Sequence, residues 1–137
     1  MPSLLPGGQP VTEQKHVWTP MRDAGPQIHW CRIENAAGTG MSDVNACHGG
    51  VEAWLELKVY KGNRLVFQPT QPAWILKRRM HGGRVFILAR KDDVLYLYDG
   101  AQVRQLMEQG INTPTLFRTA KPFDWGLLFY VVFGHSI

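Results

Sequence analysis

Several segments of the chain alternate hydrophobic and polar residues and are rich in β-branched and aromatic residues, a pattern typical of β-strands. The two strongest are QIHWCRIEN (27–35) and VEAWLELKVY (51–60). The other segments predicted to be strands are 43–47, 84–90 and 94–99. Glycine and aspartate residues at HGG (48–50) and KDD (91–93) predict tight turns between neighbouring strands.

Three further segments have the end signals or the apolar periodicity of helices. Residues 11–25 end at Gly25, and Pro20 predicts a break or kink within them. Residues 70–83 begin with Thr-Gln-Pro, in which the threonine is the predicted N-cap and the proline suits the first turn. Residues 100–110 place their apolar side chains on one side of an amphipathic helix.

The segments follow one another in the order α-β-β-β-α-β-β-α, which predicts an α/β fold with a mixed sheet flanked by helices. We expect a single domain over residues 11–137, preceded by a flexible arm at residues 1–10, which are rich in proline and glycine. The last segment, 121–137, is apolar nearly throughout. It has two interpretations, a final helix or strand of the core or a homodimer surface, and both stay open.

The composition predicts a folded protein and is compatible with an acidic partner. The 137-residue chain has 45% hydrophobic residues, enough to form a core, and a formal net charge of +4. Its two cysteines, Cys31 and Cys47, cannot form a disulfide scaffold. The N-terminus lacks the pattern of a signal peptide, and the longest apolar run, 125–134, is too short to span a bilayer. We therefore expect a soluble, cytoplasmic protein without a membrane partner.

The strand predicted at 51–60 carries charged residues at unusual positions. Because side chains alternate between the faces of a strand, the odd-numbered residues from Val51 to Val59 form one wholly apolar face. Glu56 and Lys58 share the opposite face, about 6 to 7 Å apart along the strand. This spacing allows a carboxylate to hold a metal ion while an ammonium group reaches a substrate beside it. The alternative is the solvated outer face of an edge strand, which is common for an isolated Glu-x-Lys.

Three features of the surrounding sequence favour a site over a solvated face. Asp43 begins the preceding strand, and a short hairpin would bring it beside Glu56. Gln71 lies in the first turn of the helix that follows the strand. The same helix carries a basic cluster suited to phosphate groups, formed by Lys77, Arg78 and Arg79.

The motif GMSDVN (40–45), followed by WLELKV (54–59) and Gln71, resembles the PD-(D/E)xK nuclease superfamily, with Ser42 in place of the usual proline. The resemblance covers about residues 11–90 and is greatest to archaeal-type Holliday-junction resolvases and VRR-type nucleases. It implies a restriction-endonuclease-like fold and a metal-dependent DNA endonuclease that acts on branched or double-stranded DNA, foremost a Holliday-junction resolvase. Small nucleases of this kind are often encoded by bacteriophages, in which case the compartment is the host cytoplasm.

The resemblance also assigns roles within the site. Asp43 and Glu56 would bind Mg²⁺, for which Mn²⁺ can substitute, and the backbone carbonyl of Leu57 would complete the metal site. Lys58 would orient the attacking water or stabilise the charge that develops on the phosphate. Gln71 is similar to the family's glutamine that positions the nucleophile or the scissile region.

Members of this superfamily often have a further acidic residue on the first helix. Glu13 fits this position best, as a further catalytic acid and Mg²⁺ ligand, because it precedes Asp43 by 30 residues on the first predicted helix. Glu34, just before the glycine-containing loop, is a rival. Glu52, on the same strand face as Glu56, is a second rival.

Basic residues outside this site are predicted to contact the DNA backbone, namely Arg32, Lys61, Arg64, Lys77, Arg78 and Arg79. Symmetric cleavage of a four-way junction needs two active sites, so a homodimer is expected. Two alternatives to a resolvase stay open. One is a repair or flap nuclease of the VRR type, and the other is a DNA-binding protein that kept the fold without the chemistry.

Other residues that suggest chemistry have simpler interpretations. Cys31, Cys47 and His48 lack a second pair with zinc-ligand spacing, so we expect no zinc site. The tryptophans are expected in the core or at an interface. Trp54 is the exception to watch, because it shares a strand face with Glu56.

Overall fold

A computed structural model describes residues 13–34 and 38–137 of the chain. The predicted flexible arm at 1–10 lies outside the described residues, as does Thr12, the candidate cap of the first helix. The elements below are therefore those of the two described ranges.

Six strands of the described chain form one mixed sheet in which sequence order is also spatial order. The strands are β1 (His29–Arg32), β2 (Val44–His48), β3 (Val51–Val59), β4 (Val85–Lys91), β5 (Val94–Asp99) and β6 (Phe117–Ala120). All neighbouring strands pair antiparallel except β3 and β4, which are parallel. The predicted α/β fold, a mixed sheet with flanking helices, is confirmed. The sequence pattern does not predict β6.

Helical elements connect and cover these strands. They are a π-helical turn (Gln14–Trp18), α1 (Thr19–Ala24), α2 (Gln71–Met80), α3 (Val103–Gln109) and α4 (Trp125–Phe133), with short 3₁₀ turns at Gly100–Gln102 and Gly110–Asn112. The chain stays helical through Pro20, and the change from π to α hydrogen bonding comes between Trp18 and Thr19. Thr70 occupies the N-cap position of α2, but its side chain makes no capping hydrogen bond, so the predicted cap is wrong in that respect.

Helices cover both faces of the sheet. On one face, the π-helical turn, α1 and α4 pack against apolar residues of β2 to β5, including Leu55 and Leu57. On the other face, α2 and α3 cover Val85, Ile87 and Tyr98. The apolar face predicted for β3 is therefore largely buried, and on the opposite face Glu56 and Lys58 are buried as well. Because β3 lies third in a sheet of six and is covered on both sides, the alternative of a solvated edge strand is wrong.

The parallel pairing of β3 and β4 determines where α2 lies. Parallel neighbours cannot be joined by a tight turn, so the chain must cross over the sheet between them. Residues 60–84 make this crossover and contain α2. The crossover therefore places the start of α2, with Gln71, over the face of β3 that carries Glu56 and Lys58.

The apolar C-terminal segment forms part of the core, as the first of its two interpretations predicts. Asp124 caps α4 by accepting a hydrogen bond from the backbone N–H of Leu127, and Gly134 ends the helix in the left-handed conformation. The helix buries four apolar side chains, those of Leu128, Phe129, Val132 and Phe133. Within residues 13–34 and 38–137, no helix combines the length and the apolar character needed to cross a bilayer.

Truncation of a buried side chain of α4 should destabilise the protein strongly. Phe133 is 2% exposed, so Phe133→Ala should lower the free energy of unfolding by about 3 to 5 kcal/mol in urea titrations. Tyr130, on the same helix, is 51% exposed, and Tyr130→Ala is the matched control with an expected change below about 1 kcal/mol. Equal losses from both variants would contradict the assignment of α4 to the core of the chain.

Candidate active site

Asp43 and Glu56 face each other across the β2–β3 hairpin. The register pairs Val44 with Leu55, and its continuation by one residue places Asp43 opposite Glu56. Asp43 Oδ2 accepts a hydrogen bond from the backbone N–H of Leu57 at 2.8 Å, which holds the carboxylate against β3. The hairpin therefore brings together the two acids that the sequence pattern selects.

The backbone carbonyl of Leu57 points to the same side as Asp43. Trp54 and Tyr60 donate their backbone N–H groups to Arg84 and Arg90, at the β4 side of the strand. Backbone groups alternate in direction along a strand, so the N–H and C=O of Leu57 both point away from β4. Both groups point to the side of β3 on which β2 lies, opposite residues that precede Val44, the first residue of β2. The carbonyl is thus available at the position predicted for a metal ligand.

Gln71 joins the charged groups on β3. Its amide nitrogen donates to Glu56 Oε1 at 2.6 Å, and its amide oxygen accepts from Lys58 Nζ at 3.1 Å. The same oxygen accepts from the backbone N–H of Gln68 at 2.8 Å, which fixes the orientation of the amide. A single amide therefore fixes the positions of a buried carboxylate and a buried ammonium group.

Lys58 is enclosed as well as hydrogen-bonded. Its side chain is 9% exposed, and Nζ lies 3.7 Å from Glu56 Oε1. The ammonium group also lies 4.8 Å from the ring centroid of Phe67, a favourable cation–π distance. Phe67 and Gln68 are contacts that the sequence pattern does not predict. They lie in the loop before α2, where no periodic pattern indicates what a side chain faces.

The loop that carries Asp43 packs directly against the start of α2. Gly40 has a positive φ of 78°. A Cβ atom at this position would lie 2.2 Å from the carbonyl oxygen of Thr70, so only glycine fits there. Ser42, which replaces the family's proline, is fully buried, and its hydroxyl has no hydrogen-bond partner among the described residues.

Burial and mutual repulsion raise the pKa values of the acids in the site. Burial raises the pKa of Glu56 well above its ordinary value, and the Asp43 carboxylate raises it further, whereas Lys58 lowers it. Burial also raises the pKa of Asp43, against the hydrogen bond from Leu57 and the charge of Lys58. Burial raises the pKa of Glu13 to about 7, with Lys58 lowering it and Asp43 raising it. Glu13 therefore lies within electrostatic reach of the other site residues.

The oxygen atoms of this cluster fit a divalent cation. Glu56 Oε2 is buried and has no hydrogen-bond partner among the described residues, which is costly unless a proton or a cation satisfies it. Two carboxylates and a backbone carbonyl are oxygen donors of the type that Mg²⁺ prefers. Over residues 13–34 and 38–137, no three His, Cys, Asp or Glu side chains converge as a metal-binding group.

The two rivals of Glu13 lie elsewhere. Glu34 is exposed, and its charge acts on the pKa of Arg32. Glu52 is exposed, pairs in the sheet with Cys47, and lies four residues along β3 from Glu56. Of the three, Glu13 is the acid that acts on the pKa of Glu56.

The basic residues predicted to contact DNA fall into two groups. Three have intramolecular partners: Arg32 donates to Gln14 Oε1, Arg64 to the carbonyls of Met107 and Glu108, and Arg79 pairs with Asp99 at 2.9 Å. The other three, Lys61, Lys77 and Arg78, are exposed and make no ion pair with a carboxylate of the described residues. Cation–π contacts join Arg78 to Trp54 and Trp74.

The raised pKa values predict how the stability of the metal-free protein depends on pH. The folded state holds protons on Glu13 and Glu56 that the unfolded state releases above the ordinary pKa of 4.5. Since the folded state then binds more protons, the free energy of unfolding should fall as the pH rises from 4.5 toward 7. Urea titrations after removal of divalent cations should show this fall, to which the raised pKa of Glu13 contributes up to about 3 kcal/mol between pH 4.5 and 7.

Neutral variants test the origin of this pH dependence. Glu56→Gln and Glu13→Gln should each flatten the profile, and Glu52→Gln, which changes an exposed acid on the same strand, should leave it unchanged. A stability that rises over this range, or a slope that Glu56→Gln leaves intact, would contradict the assignment.

Comparison with known proteins identifies the fold. No family model matches the chain, and no curated protein matches it either. The chain is similar to the solved structure of Archaeoglobus fulgidus Hjc, a Holliday junction resolvase from an archaeal hyperthermophile, with a TM-score of 0.50 and 15% sequence identity. The similarity covers 80% of this chain and 87% of that chain. The described residues thus share the nuclease fold of that resolvase, as the sequence motif predicts.

Proposed function

We propose that this protein is a metal-dependent DNA endonuclease that hydrolyses phosphodiester bonds in branched DNA, as a Holliday-junction resolvase does. One observation carries the proposal. Glu56 and Lys58 are buried on the central strand, joined by Gln71, and faced by Asp43. Burial of a carboxylate and an ammonium group beside a second carboxylate costs stability, and such clusters are typical of catalytic sites.

The groups present suit phosphodiester hydrolysis. The phosphodiester is an anion that resists attack by hydroxide, so its charge must be neutralised and a water molecule must be activated. Asp43, Glu56 and the Leu57 carbonyl would hold Mg²⁺, with Mn²⁺ as a substitute, and the bound ion would supply both effects. Glu13 is the third acid of the proposed site, because its carboxylate interacts electrostatically with Asp43 and Lys58.

Lys58 and Gln71 have separate tasks in this proposal. The ammonium group has three N–H donors, and Gln71 accepts one of them. The remaining donors are available to orient the water or to stabilise the charge that develops on the phosphate. Gln71 is a positioning residue, because it fixes Lys58 relative to Glu56.

Branched DNA is the proposed substrate for two reasons. The fold is shared with a protein described as a Holliday junction resolvase. The chain also carries a net charge of +4, and Lys61, Lys77 and Arg78 are exposed cations without a carboxylate partner among the described residues. Contacts from these cations to the phosphates would position the DNA, because phosphate contacts determine register and orientation.

Cleavage of defined DNA structures tests the activity. The purified protein should nick four-way junctions symmetrically in the presence of Mg²⁺ and should cut nothing in EDTA. Linear duplex should be cut far more slowly than the junction. Glu56→Gln and Lys58→Ala should lower the rate by about a hundredfold or more, because each removes a group that acts on the reacting phosphate or its metal ion.

The exposed neighbour Glu52 provides the matched control. Glu52→Gln removes the same charge from the same strand face and should retain the wild-type rate. Full activity of Glu56→Gln or Lys58→Ala would contradict the catalytic assignment. Cleavage of flaps or single strands alone would favour a VRR-type repair nuclease, and tight junction binding without cleavage would favour a non-catalytic DNA-binding protein.

Symmetric cleavage of a junction requires two active sites, so we also propose that the protein acts as a homodimer. Light scattering at the concentration of the cleavage assay should give about twice the 15.5 kDa mass of one chain. A mass of one chain under these conditions, together with symmetric cleavage, would contradict the proposed dimer.

A further inference from the structure

A groove with cationic and aromatic walls lies along the second half of α2. Its volume is about 660 Å³, and it is lined by Trp74, Lys77, Arg78, His81, Gly82 and Gly83. No carboxylate is among these lining residues. The groove therefore offers a π-face together with positive charge, the combination that binds single-stranded nucleic acid.

Arg78 is held in place inside this groove. Its guanidinium carbon lies 5.2 Å from the ring centroid of Trp74 and 5.6 Å from that of Trp54. Its aliphatic stem packs on Gly83, where a Cβ atom would come within 2.9 Å of the side chain. The next residue, Arg79, instead forms an ion pair with Asp99 on the other side of the helix. Arg78 is thus a planar cation that is already oriented and has no carboxylate partner in the described chain.

The groove begins next to the candidate active site. Trp54 and Glu56 lie two residues apart on the same face of β3, about 6 to 7 Å along the strand. Trp74 follows Gln71 by three residues, which is about one turn of α2. Trp54 and Trp74 contact each other edge to face, with ring centroids 5.2 Å apart. A strand whose phosphate reaches Glu56 and Lys58 would therefore place a neighbouring nucleotide at the groove.

We propose that this groove binds one unstacked nucleotide of the DNA strand beside the scissile phosphate. The base stacks on the outer face of the Arg78 guanidinium, which lies over the ring of Trp74, and the phosphate of that nucleotide lies near Lys77 and His81. A base inside a duplex has both faces covered by its neighbours and cannot enter. The substrate class is therefore DNA that carries an unpaired or readily unstacked nucleotide near the cleavage point, as at a branch. This inference rests on the proposed function for its role in cleavage, but not for binding.

Binding of uncleaved oligonucleotides tests the groove directly. Fluorescence anisotropy in EDTA would compare a labelled oligothymidylate with an abasic strand of the same length and charge, using the Glu56→Gln protein. The oligothymidylate should bind at least about fivefold tighter, because one base–aromatic stack is worth about 1 to 3 kcal/mol. Trp74→Leu and Arg78→Gln should bring the ratio of the two affinities, oligothymidylate to abasic strand, close to one. Trp74→Phe, which keeps an aromatic face, should retain most of this ratio.

Two further variants separate stacking from charge. Lys77→Gln should weaken both strands by the same factor and leave the ratio unchanged. Arg104 is an exposed arginine on α3, and Arg104→Gln is the matched control for the charge change at Arg78. It should preserve the ratio. The proposal would be overturned if both strands bind equally to the protein with the unmodified groove. It would also be overturned if Arg104→Gln lowers the affinity ratio as much as Arg78→Gln does.

The result is independent of the nuclease test. If the oligothymidylate binds more tightly than the abasic strand and no DNA structure is cleaved, the proposed groove is supported and the proposed endonuclease activity is contradicted. If junctions are cleaved but the two strands bind equally, the endonuclease activity is supported and the proposed groove is contradicted.

Discussion

The amide of Gln71 is the interaction on which the candidate site depends. Glu56 and Lys58 lie on a face of β3 that a helix covers, where isolated charges are very costly. Gln71 offers a donor to the carboxylate and an acceptor to the ammonium group, and this position over β3 exists only because the crossover between two parallel strands contains α2. The topology of the sheet and the chemistry of the site are therefore linked through one side chain.

Hydrogen bonds hold the side chains of the site in place, but they do not reach every buried polar atom. Gln71 has partners at both ends of its amide, and Asp43 is held by Leu57. Glu56 Oε2, by contrast, is buried without a partner among the described residues. The Ser42 hydroxyl is a second buried group without a partner among these residues. A buried oxygen in this state is costly, and a proton or a cation at Glu56 Oε2 would offset that cost. Stability is lower as a result, and the apolar packing of both sheet faces offsets the loss.

The sequence pattern predicts the fold class and the proximity of Asp43, Glu56 and Lys58, but not the burial of Glu56 and Lys58. Strand alternation alone places Glu56 and Lys58 on one face, and a short hairpin is enough to bring Asp43 to them. Whether that face is buried depends on a helix from a later segment, which periodicity within the strand cannot show. The partners of Arg64 and Arg79 lie 20 or more residues away, so both arginines look like free surface cations in the sequence. The short edge strand β6 has too few residues for a recognisable pattern.

Gly40 allows two segments of the site to pack closely against each other. The loop that ends in Asp43 packs at Gly40 against the carbonyl of Thr70, with no room for a side chain between them. Gln71 directly follows Thr70 in the chain. The loop and the start of the helix therefore cannot come closer together at this contact. Any side chain at residue 40 would push the two segments apart, and the distance between Asp43 and Gln71 would change with them. The arrangement of the site thus depends on a residue that carries no functional group.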